Sequence, residues 1–105
     1  MGMHALINEK YDTPQSRIKS FATDDKRILI VDDDIDIARF FKLALDRAGS
    51  ITDDSSNPIS ALTNFKKWTY DLLLFDINMP QMTGFELYNK IRQIDGEVKV
   101  CFVSL

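Results

Sequence analysis

Arg27–Phe41, RILIVDDDIDIARFF, sets a run of aliphatic residues directly against Asp32, Asp33 and Asp34 and then passes into a helical pattern. Ile28 to Val31 is continuously aliphatic, the form a parallel strand takes when both of its faces are covered. Ile37, Phe41, Ala44, Leu45 and Ala48 recur at helical spacing, with an Asp available to cap the start and Gly49 placed to end the helix. A strand followed at once by a helix predicts an α/β unit. The three carboxylates at its junction repel one another and cannot be cheaply desolvated, so they require a compensating partner.

The remainder of the chain repeats this theme. SITDDSS, residues 50–56, is a short strand candidate. Asn57 reads as an N-cap and Pro58 as a first-turn proline, opening a helix whose apolar face is Ala61, Leu62, Phe65 and Trp68. DLLLFD, residues 71–76, is a second fully apolar strand that ends in a carboxylate, Asp76. INMPQMTGF is a loop punctuated by Pro80 and Gly84, after which Leu87, Ile91 and Ile94 mark a third helix. EVKVCFVSL is a further strand. Four strands alternating with three helices predict a doubly wound α/β domain with a parallel sheet over residues 26–105, because helices of this length imply right-handed parallel crossovers. Residues 1–25 are polar, mixed in charge and without sustained periodicity, which predicts a flexible extension.

Composition narrows the function classes. A chain of 105 residues with 45% hydrophobic and 28% charged residues has room for one globular domain. A formal net charge of −3 and clustering no denser than Lys66-Lys67 argue against nucleic-acid binding, which needs grouped Lys and Arg. The single cysteine, Cys101, excludes an intrachain disulfide and fits a reducing cytoplasm. MGMHALINEK has no long apolar core, and no apolar run approaches about 18 residues, so neither a secretory signal nor a membrane span is expected. Leu6 stands where a myristoylation signal wants Ser or Thr.

In an open parallel sheet the functional crevice lies beyond the carboxyl ends of the strands, where the strand order reverses. Asp32 and Asp33 end the first of these strands, Asp76 the third, and Ser104 nearly ends the fourth. All four are expected at one crevice. An oxygen-only acidic cluster of this kind suits a hard cation such as Mg²⁺.

Taken together, ILIVDDD, DLLLFDINMPQMTGFEL and VKVCFVS resemble the receiver domain of two-component response regulators, over residues 26–105. The resemblance implies a flavodoxin-like fold and a phosphoacceptor signalling domain, with at most slow self-dephosphorylation rather than enzymatic turnover. It implies Asp76 as the aspartate that takes a phosphoryl group from a sensor histidine kinase or phosphotransfer protein. Asp32 and Asp33 match the acidic pair that holds Mg²⁺ beside Asp76, Asn78 matches the residue whose backbone carbonyl completes the metal ligands, and Ser104 matches the switch hydroxyl. Met79-Pro80 and Gly84 match the loop after the acceptor, with Thr83 where the family usually has Asp. The alternative is a non-switching receiver that binds metal or a partner without signalling by phosphorylation.

Other readings of the same residues fail or are plainer. Asp32, Asp34 and Asp36 imitate the start of a calcium loop, but Ile37 and Leu43 stand where Gly and Glu are required. A strand followed by D-x-D also resembles the haloacid-dehalogenase phosphatases, which usually place Thr or Val where Asp36 stands. Asp34 and Asp36 read as cap or turn residues, Met79 and Met82 as packing, Lys66 and Lys67 as a solvated helix face, and His4 as no ligand.

Receivers normally continue through a further helix, a fifth strand carrying an active-site Lys and a last helix, and no Lys follows Ser104. Lys99 begins the last strand, about 16 Å from the crevice at ordinary strand rise, and Lys26 lies at the same far end. An open edge on the last strand and uncovered apolar surface are expected to favour self-association unless the N-terminal extension, with Ile18 and Phe21, docks there.

Overall fold

The structure, a computed structural model, describes residues 4–6 and 25–104. The expected strands and helices form in the expected order: β2 (Arg27–Val31), α1 (Ile35–Arg47), β3 (Ile51–Ser55), α2 (Pro58–Asn64), β4 (Leu72–Asp76), α3 (Gly84–Ile91) and β5 (Lys99–Ser104). A further short strand, β1 (His4–Leu6), precedes them. The sheet order is β1-β5-β4-β2-β3, with β2, β3, β4 and β5 mutually parallel and β1 antiparallel to β5.

The alternation of side chains along each central strand sorts the aliphatic runs onto two faces. Ile28, Ile30, Leu72, Leu74, Cys101 and Val103 pack on one face with Ala38, Phe41 and Leu45 of α1. Leu29, Val31, Leu73 and Phe75 pack on the other with Ala61, Phe65, Leu87 and Ile91 from the α2 and α3 side. Helices on both faces explain why β2 carries no polar residue after Arg27 and β4 none before Asp76. No helix among the described residues is long and apolar enough to cross a membrane.

Three sequence expectations are corrected. Ala44 and Ala48 are exposed and Ala38 is buried instead, because α1 lies on the sheet by the row that runs through Ala38, Phe41 and Leu45. Trp68 is not part of the α2 face: the helix stops at Asn64, and Trp68 sits in the following loop at φ 64° with 76% of its surface exposed. Its N–H donates to the buried carboxylate of Asp95, which also accepts from Glu97 N–H and so ties the α2–β4 loop to the α3–β5 loop. Ile94 likewise lies beyond the end of α3 and is 40% exposed.

The β5 edge expected to be open carries β1, in the register His4↔Ser104, Ala5↔Val103 and Leu6↔Phe102. Self-association through that edge therefore requires β1 to leave it. Ile18 and Phe21, expected as docking residues, lie outside the described residues, as does the rest of the N-terminal extension apart from His4–Leu6 and Asp25.

Candidate functional site

The strand order reverses between β2 and β4, whose neighbours lie on opposite sides, and the two strand ends therefore open onto a shared crevice. Asp32, Asp33, Asp34, Ile37, Asp76, Asn78, Val103 and Ser104 line a cleft of about 270 Å³ there. The structure thus brings together all five residues singled out from sequence: Asp32, Asp33, Asp76, Asn78 and Ser104. Ile37 and Val103 were not anticipated at the cleft, although their positions beside the first turn of α1 and before Ser104 are the signal that places them there.

The opening triplet divides its work. Asp34 is the N-cap of α1, its carboxylate accepting the N–H groups of Asp36 at 2.9 Å and Ile37 at 3.3 Å. This satisfies two of the free N–H groups at the helix start. Asp32 is buried, and its Oδ1 accepts the Asp34 N–H at 2.9 Å. Asp33 is exposed. One carboxylate oxygen from each of Asp32, Asp33 and Asp76 falls within 4.8 Å of the others.

The cost of this crowding appears in proton affinity. Burial, then the charge of Asp32 and a carboxyl hydrogen bond with Asp33, push Asp76 up to about 6, against a lowering by the Asn78 N–H. Burial also raises Asp32, with the Asp33 and Asp34 charges adding to it and the Asp34 N–H opposing it. Acids crowded so that burial and one another's charges raise their proton affinity, in an all-oxygen donor set, fit a hard divalent ion. No Lys or Arg is among the residues lining the cleft. Lys99 begins β5, opposite Leu72 at the far end of the sheet, as its sequence position implied.

These shifts fix the sign of a pH effect. With Asp76 raised from 3.8 to about 6, the folded metal-free protein holds this proton more tightly than the unfolded chain does. The associated stability is fully present below about pH 4 and is lost as pH rises through about 6. In chelator, Asp76→Asn is expected to add about 1 kcal/mol of stability at neutral pH after allowance for solvent screening, and so to raise the Tm there, and to leave the Tm unchanged below about pH 4. Thermal denaturation at the two pH values checks this, and a lower Tm for Asp76→Asn at neutral pH contradicts it.

The loop after Asp76 is shaped by backbone contacts. Asn78 N–H donates to Asp76 Oδ1 at 3.4 Å, Ile77 N–H to the Val103 carbonyl at 3.0 Å, and Gly84 N–H to the Ile77 carbonyl at 2.9 Å. Thr83 caps α3 through a reciprocal pair, accepting the Glu86 N–H at 3.1 Å while its own N–H donates to Glu86 Oε1 at 3.2 Å. That pairing needs a hydroxyl or carboxylate acceptor, which Thr supplies where Asp is usual. A Cβ at Gly84 would overlap the Asp76 carbonyl oxygen and lie 3.3 Å from Ile77 Cα. Gly84→Ala is accordingly expected to cost about 1–3 kcal/mol and to displace the acceptor loop. Urea denaturation measures this cost, and unchanged stability would show that the loop yields freely.

Sheet order and cleft together define a doubly wound α/β domain with an acid-lined, cation-ready pocket at its switch point. The family model for the response regulator receiver domain matches residues 28–105, and the chain belongs to that family, the phosphoacceptor domains of two-component signalling. It is 39% identical over 79 residues to the response regulator receiver protein CpdR of Brucella abortus, covering 75% of this chain and 66% of that protein. Among solved structures it resembles TrrA of Thermotoga maritima in complex with Mg²⁺ and BeF, at 36% identity and TM-score 0.65, over 71% of this chain and 65% of that one. TrrA bound to the histidine kinase ThkA matches at 37% identity and TM-score 0.65, over 71% and 65% of the two chains. The chain thus spans about two thirds of the length of these relatives.

Proposed function

We propose that this chain accepts a phosphoryl group on Asp76, in a Mg²⁺-dependent step, from a sensor histidine kinase or phosphotransfer protein. The convergence of Asp32, Asp33 and Asp76 within 4.8 Å at the switch point carries this reading. The TrrA complexes with Mg²⁺ and BeF and with a histidine kinase support it by analogy. Asp32, Asp33, Asp76 and the backbone carbonyl of Asn78 would hold the ion, whose contribution is to neutralise charge on the acceptor and on the incoming phosphoryl oxygens. The chain's own residues do the rest. A carboxylate oxygen of Asp76 attacks phosphorus in line as the phosphorus–nitrogen bond of the donor breaks and its electron pair returns to the leaving imidazole. Asp32, buried and oriented by the Asp34 N–H, sets the depth of the pocket, and Ser104 donates its hydroxyl proton to a phosphoryl oxygen on Asp76. In this reading the chain is an acceptor in a relay rather than a turnover enzyme.

The direct test is intact-mass measurement after incubation with acetyl phosphate. One added phosphoryl group is expected with Mg²⁺ and none in chelator. Equal modification in both conditions would remove the metal-assisted mechanism.

A further inference from the structure

The last two residues of β5 are shared between two neighbours. On one side Val103 is in register with Asp76 and accepts the Ile77 N–H, and Ser104 lines the acid cleft. On the other side the same two residues pair with β1, as His4↔Ser104 and Ala5↔Val103. Because the sheet runs β1-β5-β4, displacement of the β5 backbone at Ser104 toward Asp76 is displacement away from β1. β1 has only three residues, so its pairing rests on a few backbone hydrogen bonds, each of modest net strength. A single new hydrogen bond from Ser104 to a charged phosphoryl oxygen is of comparable or greater strength.

We propose that β1 is a latch on the β5 edge that loosens when Ser104 is drawn to a phosphoryl group on Asp76, so that the N-terminal strand reads out the state of the cleft. The inference rests on the phosphoacceptor reading and adds its regulation. It also gives a three-residue strand at the cleft end of the sheet a role in signalling: an edge strand held weakly is released by a small change, whereas the central strands, buried on both faces, are not. By linkage the coupling runs both ways, so that weakening the latch favours the phosphoryl-bound state by the same factor.

Amide exchange of the full chain in Mg²⁺, with and without beryllofluoride as the acyl-phosphate mimic, tests the latch. Exchange over His4–Leu6 is expected to rise about fivefold or more on adding beryllofluoride. Ser104→Ala is expected to bind the mimic more weakly and, at saturating beryllofluoride, to show no rise. Unchanged or slower exchange over His4–Leu6 in a parent that binds beryllofluoride overturns the latch and leaves the phosphoacceptor reading standing. A parent that shows no thermal shift with Mg²⁺ and beryllofluoride overturns both. An equal rise in Ser104→Ala overturns the role given to the hydroxyl. In the reverse direction, Leu6→Pro, which removes a strand N–H from the pairing with Phe102, is expected to bind beryllofluoride about fivefold more tightly. Unaltered affinity in that variant, with its Mg²⁺ shift intact, also overturns the proposal.

Discussion

Asp76→Asn is expected to slow phosphorylation by acetyl phosphate on the order of a thousandfold or more, the scale of losing a nucleophile outright. The amide keeps the size and shape of the side chain but has no anionic oxygen with which to attack phosphorus. Asp32 and Asp33 are not expected to take over readily: Asp32 is buried with one oxygen committed to the Asp34 N–H, and both would hold the proposed cation. Because the substitution removes repulsion in the cleft, the variant is expected to be at least as stable as the parent, and lost modification is then a loss of chemistry rather than of fold. Intact-mass time courses separate the cases. Modification of Asp76→Asn at the parental rate would place the acceptor elsewhere.

The second large effect is thermal stabilisation by Mg²⁺. An ion that binds only the folded chain stabilises it by about 2.7 kcal/mol at a hundredfold excess over Kd. At about 4–8 °C per kcal/mol for a domain of this size, the Tm is expected to rise by about 10 °C or more. The rise is expected to be larger than for a site with one acid, since the ion relieves the repulsion that raises Asp76 and Asp32. Asp33→Ala is expected to abolish it. Asp33 is exposed and contributes nothing to the packed faces, so the variant retains the fold while losing a ligand. A full Mg²⁺ shift in Asp33→Ala would exclude Asp33 as a ligand, and no shift in the parent at millimolar ion would argue against the metal site altogether.

Much of this was legible in the chain because it depends on local chemistry. The aliphatic runs Ile28–Val31 and Leu72–Phe75 cannot be exposed on either face, which demands helices above and below the sheet. Asn57-Pro58 and the DDD junction announce helix starts through the free N–H groups they satisfy or replace, and the structure uses Asn57 and Asp34 in those roles. Helix ends were less legible: Phe65, Trp68 and Ile94 continue an apolar rhythm that the backbone abandons. Asp95 gathers the N–H groups of two loops by a contact between residues far apart in sequence, at Trp68 and Glu97.

The sequence by itself determined which residues are chemically able to form the site, since three strand-end acids and one strand-end hydroxyl in a parallel sheet share one end of the domain. Their rank within the site was decided only by the tertiary structure. Asp34 is drawn into capping, Asp32 is buried, Asp33 is left in solvent, and Asp76 is placed where burial and two neighbouring acids raise its proton affinity. The fate of the β5 edge was decided there as well. Pairing between His4–Leu6 and Phe102–Ser104 joins segments separated by nearly the whole chain, and it is made by backbone N–H and carbonyl groups that every residue carries. No side-chain pattern encodes such a pairing, so it becomes visible only once the sheet exists to offer an edge.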